Sequence, residues 1–151
     1  MIKIRKANLS DKKFIVSFQL NMAMETENLK LDEQTVIQGV TRVLSDPSKG
    51  QYFVAETNDN VIGSLLTTYE WSDWRNGTTL WIQSVYVDTS HRGNGAYKAL
   101  YAHVKSMVQS DPNYTGIRLY VHKGNEKAKK VYTNLGMNGE HYELYEWMKE
   151  S

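Results

Sequence analysis

Cysteine is missing from all 151 residues of the chain. Its absence excludes a disulfide scaffold, a thiolate nucleophile and a cysteine-based zinc site, and it fits a reducing cytoplasmic setting. Proline is nearly as scarce, with two residues, Pro47 and Pro112, each where a helix has to stop. Charge of one sign is lacking too. Eighteen basic residues against 17 acidic ones leave a formal net charge of +1. The basic residues form no run or stripe, so a nucleic-acid partner is not expected. No apolar run approaches the ~20 residues of a membrane span, which argues against a membrane partner. Met1-Ile2-Lys3-Ile4-Arg5 alternates apolar and charged residues and does not read as a signal peptide. Low-complexity tracts, internal repeats and Pro/Gly/Ser-rich linkers are absent as well. A single domain over residues 1–151, long enough for a real core, is the expectation.

The most informative stretch runs from Leu80 to Tyr101, LWIQSVYVDTSHRGNGAYKALY. Trp81, Ile82, Val85, Tyr86 and Val87 suit a pleated strand. A short polar loop, Asp88 to His91, leads into Arg92-Gly93-Asn94-Gly95, and Ala96, Leu100 and Val104 then recur at helical spacing. Strand, glycine loop and helix together make a phosphate grip. The first-turn N–H groups of a helix have no intrahelical acceptor, the helix dipole adds positive charge, and glycines let the backbone approach closely. Arg92 adds a cation to the same place. The loop is no P-loop, because the Gly-Lys-Ser/Thr ending is missing, and no dinucleotide fingerprint, because a third glycine is missing.

Arg92-Gly93-Asn94-Gly95-Ala96-Tyr97 resembles the acyl-CoA loop of the GCN5-related N-acetyltransferases, Gln/Arg-x-x-Gly-x-Gly/Ala after a Val-x-Val-like strand end. It matches at Arg92 and Gly95. Tyr97 stands where the family has Gly or Ala, so its side chain must lean away from a bound pyrophosphate. A second, separated match follows in the right order: Val121, Asn125, Ala128, Tyr132 and Gly136-Met137.

Along the whole chain, Ile2 to Lys6 reads as a strand. A helix capped by Asn8 or Ser10 carries Phe14, Ile15, Phe18 and Met22, and a second helix opens at Leu31-Asp32-Glu33. Tyr52–Glu56 and Val61–Tyr69 form a hairpin about Asn58-Asp59-Asn60, with Gly63 as a candidate bulge. Leu80–Val87 is the next strand, Tyr97–Met107 a helix, Ile117–Val121 a strand, and Asn125 opens a helix that Gly136 ends. His141 to Lys149 alternates as a last strand. The order β-α-α-β-β-β-α-β-α-β predicts an α+β domain, a mixed, mostly antiparallel central sheet flanked by helices. It is also the order of the acyl-CoA N-acyltransferase fold, so the resemblance spans nearly the whole chain.

The resemblance implies an acetyl-CoA-dependent N-acetyltransferase. The donor would lie on the N–H groups of Arg92, Gly93, Asn94, Gly95, Ala96 and Tyr97. Its pantetheine arm would run along the backbone of Val85, Tyr86 and Val87, in a splay between this strand and Ile117–Val121, with Asn125 contacting the arm. A backbone N–H near Val85 would polarise the thioester carbonyl. Tyr132 matches the family's general acid for the leaving thiolate; otherwise it is an ordinary core tyrosine. Some members carry a glutamate on the fourth strand, where this chain has Trp81. No base carries over there, and Gln83 can hold a water without acting as a base. The remaining carboxylate candidates are Glu70, Asp73, Glu25 and Glu27.

On the acceptor side, Glu70-Trp71-Ser72-Asp73-Trp74-Arg75-Asn76-Gly77 reads as a turn rich in rings and carboxylates. It can hold an ammonium through Trp71, Trp74, Glu70 and Asp73; alternatively the tryptophans pack on the sheet edge and Asp73 pairs with Arg75. Glu25 and Glu27 sit near a helix C-terminus, where carboxylates are unfavourable. They are either kept for a cationic acceptor or simply solvated. The four histidines are scattered, and no metal is expected. An amine of a small molecule or peptide is the expected acceptor, and homodimerisation is common in the family. A CoA-binding sensor without turnover is the alternative function.

Overall fold

Helices Lys12–Glu27 (α1) and Glu33–Ser45 (α2) lie between the first two strands, Lys3–Lys6 (β1) and Gln51–Thr57 (β2). Strands Asn60–Ser72 (β3) and Gly77–Val87 (β4), helix Ala96–Ser110 (α3), strand Tyr114–Leu119 (β5) and helix Glu126–Asn134 (α4) follow. This computed structural model describes residues 1–150. The five strands form one sheet in the order β1-β2-β3-β4-β5. The first three pairings are antiparallel and β4–β5 is parallel, so the mostly antiparallel α+β sheet is present. Contacts group the chain into two units, residues 1–120 and the residues from Val121 onward.

Strand alternation sends side chains to both faces of the sheet in the first unit. Tyr52, Val54 and Leu66 pack with Ile15 and Val16 of α1 and Val40 of α2. Phe53, Leu65 and Leu80 point the other way and are buried. There α3 covers them, with His103 and Phe53 rings 5.1 Å apart. Asn58 and Asp59 both adopt positive φ in the β2–β3 turn. The bulge expected at Gly63 falls beside it: Ala55 pairs Gly63 and Glu56 pairs Val61, so Ile62 is the extra residue.

A buried ion pair ties the N-terminus down. The Arg5 guanidinium donates twice to Asp11, at 2.9 Å each, and the Asn8 N–H adds 2.8 Å. Burial pushes the Asp11 carboxyl up, but the Arg5 and Asn8 hydrogen bonds outweigh it and hold the group below its ordinary 3.8. A depressed carboxylate stabilises the fold above its unfolded pKa. That contribution is lost as pH falls through the lower folded value. Asp11→Ala leaves Arg5, whose side chain is 27% exposed, with Glu56 at 3.2 Å as its remaining carboxylate. Because Arg5 keeps that partner, we expect a smaller loss than for a fully broken buried pair, about 2 kcal/mol, or roughly 4–8 °C in Tm. Thermal melts at neutral pH and near pH 3 check it: the gap between parent and variant should narrow in acid.

In the second unit Asn125 caps α4, its side-chain oxygen accepting from the Ala128 N–H at 3.0 Å. At the other end the Gly136 and Met137 N–H groups donate to the Thr133 and Tyr132 carbonyls at 3.0 Å each. Gly136 has φ +89° there. These two bonds are the Schellman arrangement, which is why Gly-Met ends the helix.

One expected element is absent. Residues 141–149 were predicted as a strand, but they join no ladder, and Tyr142, Leu144, Tyr145, Trp147 and Met148 are exposed. The alternation breaks phase at Leu144-Tyr145, so the apolar side chains do not line one face. Pattern alone also cannot satisfy a strand's N–H and C=O groups, which need a neighbouring edge.

Candidate active site

The glycine loop has the form a phosphate cradle needs. Gly93 and Gly95 both sit at φ +85°, and a β-carbon at either would meet nothing within 4 Å. Gly95 is the N-cap of α3, its carbonyl accepting from the Ala99 N–H at 2.9 Å. The N–H groups of Gly95 and Ala96 therefore open the first turn, where the helix offers them no acceptor. Beside them lies a shallow cavity of ≈ 470 Å³ lined in part by Asn94, Gly95, Ala99, Ile62 and Thr57. The residues present fit a pyrophosphate: open backbone, positive φ and a helix N-terminus together.

Next to this cradle β4 has a free edge. Its ladder with β5 stops at Ile82–Leu119, leaving Gln83 to Val87 unpaired on that side. The pairing thus ends where the splay is expected, because β5 itself ends at Leu119. Opposite β3 the register slips at the same place: Leu66 pairs Ser84 and Thr67 pairs Ile82, so Gln83 is an extra, bulged residue. A bulge re-aims backbone groups where a ladder ends. Thr68 Oγ1 donates to Gln83 Oε1 at 3.2 Å. Gln19 Nε2 of α1 donates to Ser84 Oγ at 2.9 Å and to the Tyr52 hydroxyl at 3.2 Å. These contacts hold the bulge against α1.

Arg92 turns away from the cradle. Its Nε donates to the Val87 carbonyl at 2.9 Å, and its two terminal nitrogens donate to Glu25 at 2.5 and 2.8 Å. The guanidinium also lies 5.2 Å from the Tyr86 ring centroid, and the Tyr86 ring lies tilted against Phe18. Burial, then the Glu25 charge, pushes the Tyr86 phenol up. Arg92 thus ties the end of α1 to the end of β4, and Glu25 is part of that tie. Glu27, the last residue of α1, is exposed.

The β3–β4 hairpin is longer than its sequence suggests. Glu70 and Trp71 lie on β3, paired with Thr79 and Thr78, and only Asp73 to Asn76 form the turn, with Asn76 at φ +51°. Trp71 and Trp74 are exposed, not packed on the sheet edge, and no ion pair joins Asp73 to Arg75 among the described residues. Glu70 accepts from the Trp81 indole at 2.7 Å and from Arg118 at 2.9 Å. First the indole, then Arg118, lowers its pKa. A carboxylate from β3 therefore stands beside the Trp81 position, with the Tyr120 ring tilted against Trp81 at 4.6 Å between centroids.

Glu70→Gln would keep the shape and leave Arg118 as a net positive charge. At about 6 Å in water that costs a cationic acceptor roughly 0.7 kcal/mol, about threefold. We expect a rise of that size or more in acceptor KM, smaller at high salt, with acetyl-CoA affinity unchanged. Steady-state kinetics at two ionic strengths would check it.

Asn125 and Tyr132 both belong to the second unit. The Asn125 carbonyl oxygen is engaged in the α4 cap, which leaves its amide N–H groups to donate. Tyr132 is buried on α4. Among the described residues no cluster of three His, Cys, Asp or Glu could hold a metal, and no helix is long and apolar enough to cross a membrane.

The profile of the acetyltransferase (GNAT) family matches residues 17–137, from α1 to the Gly136-Met137 stop. The chain belongs to this family. A solved structure described as a possible acetyltransferase from Clostridium difficile 630 is 42% identical, with a TM-score of 0.94 over 100% of this chain and 99% of that one. Two more distant structures share the fold. A ribosomal-protein-alanine N-acetyltransferase from Brucella melitensis biovar Abortus 2308 has 15% identity and a TM-score of 0.80, over 99% of this chain and 100% of that one. An aminoglycoside N-acetyltransferase, AAC(6')-Iy, in complex with CoA, has 14% identity and the same TM-score of 0.80, over 99% and 95%. Among curated protein sequences none matches. The names of those two structures differ in acceptor, a ribosomal protein in one and an aminoglycoside in the other, so the shared fold does not itself choose one.

Proposed function

We propose that the protein transfers an acetyl group from acetyl-CoA to an amine by direct attack within one ternary complex. The observation that carries the reading is the free, bulged end of β4 running into the Gly93–Gly95 cradle. It offers backbone N–H and C=O groups to an extended amide-bearing arm, followed by a helix N-terminus for its phosphates. In this reading Asn94, Gly95, Ala96 and Tyr97 hold the pyrophosphate through backbone N–H groups. Val85 to Val87 hold the pantetheine amides, and Asn125 donates to the same arm. Arg92 shapes the loop through Val87 and Glu25 without itself meeting phosphate.

The acceptor approaches over Thr68, Glu70, Trp81 and Gln83, with Trp71, Trp74 and Asp73 at the rim. Its nitrogen forms a bond to the carbonyl carbon as the carbon–sulfur bond breaks. Tyr132 gives its phenolic proton to the departing thiolate. The amine's proton passes to water held near Gln83. Glu70, tied to Arg118 with a lowered pKa, supplies negative field more readily than basicity. A small cationic amine suits this surface, and a peptide amine can reach it across the exposed rim.

The experiment is a panel of polyamines, aminoglycosides and short peptides mixed with acetyl-CoA and read by release of free CoA thiol. Amine-dependent release supports transfer. Tight acetyl-CoA binding without release from any amine would instead make the protein an acyl-CoA sensor, a reading the Trp81 substitution keeps in view.

A further inference from the structure

Across β3, β4 and β5 one row of side chains shares a face. Thr68 pairs Trp81 and Trp81 pairs Arg118, and residues directly opposite one another in a sheet point the same way. Glu70 and Tyr120, each two residues further along its chain, join that face. Leu66 lies on it as well, packed under α1 and α2, and the row from Thr68 onward lies outside that packed cluster. Trp81 is half-buried and Tyr120 is 52% exposed. Their rings meet at 4.6 Å between centroids with a tilt of 47°.

The polar groups of the row serve one another. The Trp81 indole N–H donates to Glu70 at 2.7 Å, and Arg118 donates to both Glu70 oxygens at 2.9 Å each. A guanidinium thus balances the carboxylate, and charge alone separates one amine from another only weakly. With its N–H taken by Glu70, Trp81 meets a ligand through its ring.

We infer that Trp81 and Tyr120 are specificity-determining residues: their ring pair takes the aromatic body of an acceptor whose amine is carried on a short alkyl chain. The inference rests on the proposed transfer reaction and names the acceptor class for it. Aromatic rings prefer offset or edge-to-face neighbours at about 4.5–7 Å. The tilt between Trp81 and Tyr120 opens a wedge, where a third ring can lie offset on one wall and edge-on to the other. The alkyl chain follows from β4. Three regular strand steps and the Gln83 bulge separate Trp81 from Val85, where the proposed reaction puts the thioester carbonyl, about 10 Å along the strand. A ring held at Trp81 needs several methylenes to bring its nitrogen there.

The probes are 4-phenylbutylamine and 4-cyclohexylbutylamine, equal in charge and chain length. The saturated ring is at least as apolar, so hydrophobic burial alone would not favour the phenyl group. Calorimetric titration of each into the whole protein with CoA present should show the phenyl amine binding about two- to tenfold tighter, the usual worth of ring–ring contact. Tyr120→Leu and Trp81→Leu should each bring that ratio close to one, and Trp81→Phe should keep most of it. Equal affinities in the parent, or a preference that survives both leucine variants in folded protein, would overturn the ring wall. The parent comparison stands even where a variant fails to fold. Release of free CoA thiol from acetyl-CoA with the same two amines separates this inference from the reaction it rests on. Release from both without a phenyl preference in binding overturns the ring wall alone. A phenyl preference without release overturns the transfer and leaves the ring wall standing.

Discussion

Replacing Gly95 by valine is expected to weaken acetyl-CoA binding by about a hundredfold or more in a protein that still folds. The fold cost is small for two reasons. A side chain at φ +85° is strained by roughly 1–2 kcal/mol, and a β-carbon there meets nothing within 4 Å. That emptiness is what a ligand would use. A phosphate must come within hydrogen-bond distance of the Gly95 and Ala96 N–H groups, and a branched side chain beside them holds it off. Losing two charge-assisted hydrogen bonds at about 1.5 kcal/mol each amounts to the hundredfold. Calorimetric titration with acetyl-CoA, paired with a thermal melt, decides it. Unchanged affinity in a folded variant would remove the loop from the binding site.

Tyr132→Phe is expected to lose kcat by about a hundredfold or more, the usual contribution of a general acid. The ring stays and continues to fill its buried place on α4, so Tm should shift little. Acetyl-CoA affinity should stay close to that of the parent, because the phenol acts when the thiolate leaves and not when the donor binds. The loss should shrink with a donor whose thiol is more acidic, since that thiolate leaves without help. Turnover within a few-fold of the parent, with chemistry limiting the rate, would assign the proton to water.

Local chemistry made much of the fold legible. The β4–loop–α3 unit reads directly from Trp81 to Val104, because strand residues, paired glycines and helical spacing follow one another within 25 residues. Asn125 and Gly136-Met137 likewise bracket α4 by short-range capping rules. Contacts that cross the sequence left no such trace. The sequence places Arg92 beside the phosphate grip and gives no sign of its pairing with Glu25, 67 residues away. Glu70 reads as a candidate base and ammonium ligand, with no sign in the sequence of its pairing with Arg118, 48 residues on. Gln19 gave no sign that it bridges Ser84 and Tyr52. The bulge at Gln83 was hidden because it depends on the register between two strands, which neither strand encodes alone. In residues 141–149 the alternation breaks at Leu144-Tyr145, and a strand also needs an edge to pair with.

We propose transfer in a single ternary complex, a reading supported by the end of β4 that runs into the Gly93–Gly95 cradle. The most direct measurement of that claim is an initial-velocity study in which acetyl-CoA and the best amine of the panel are both varied. Intersecting double-reciprocal lines are the predicted result, since both substrates must be bound before the carbon–sulfur bond breaks. Parallel lines, the pattern of an acetylated enzyme intermediate, would contradict it.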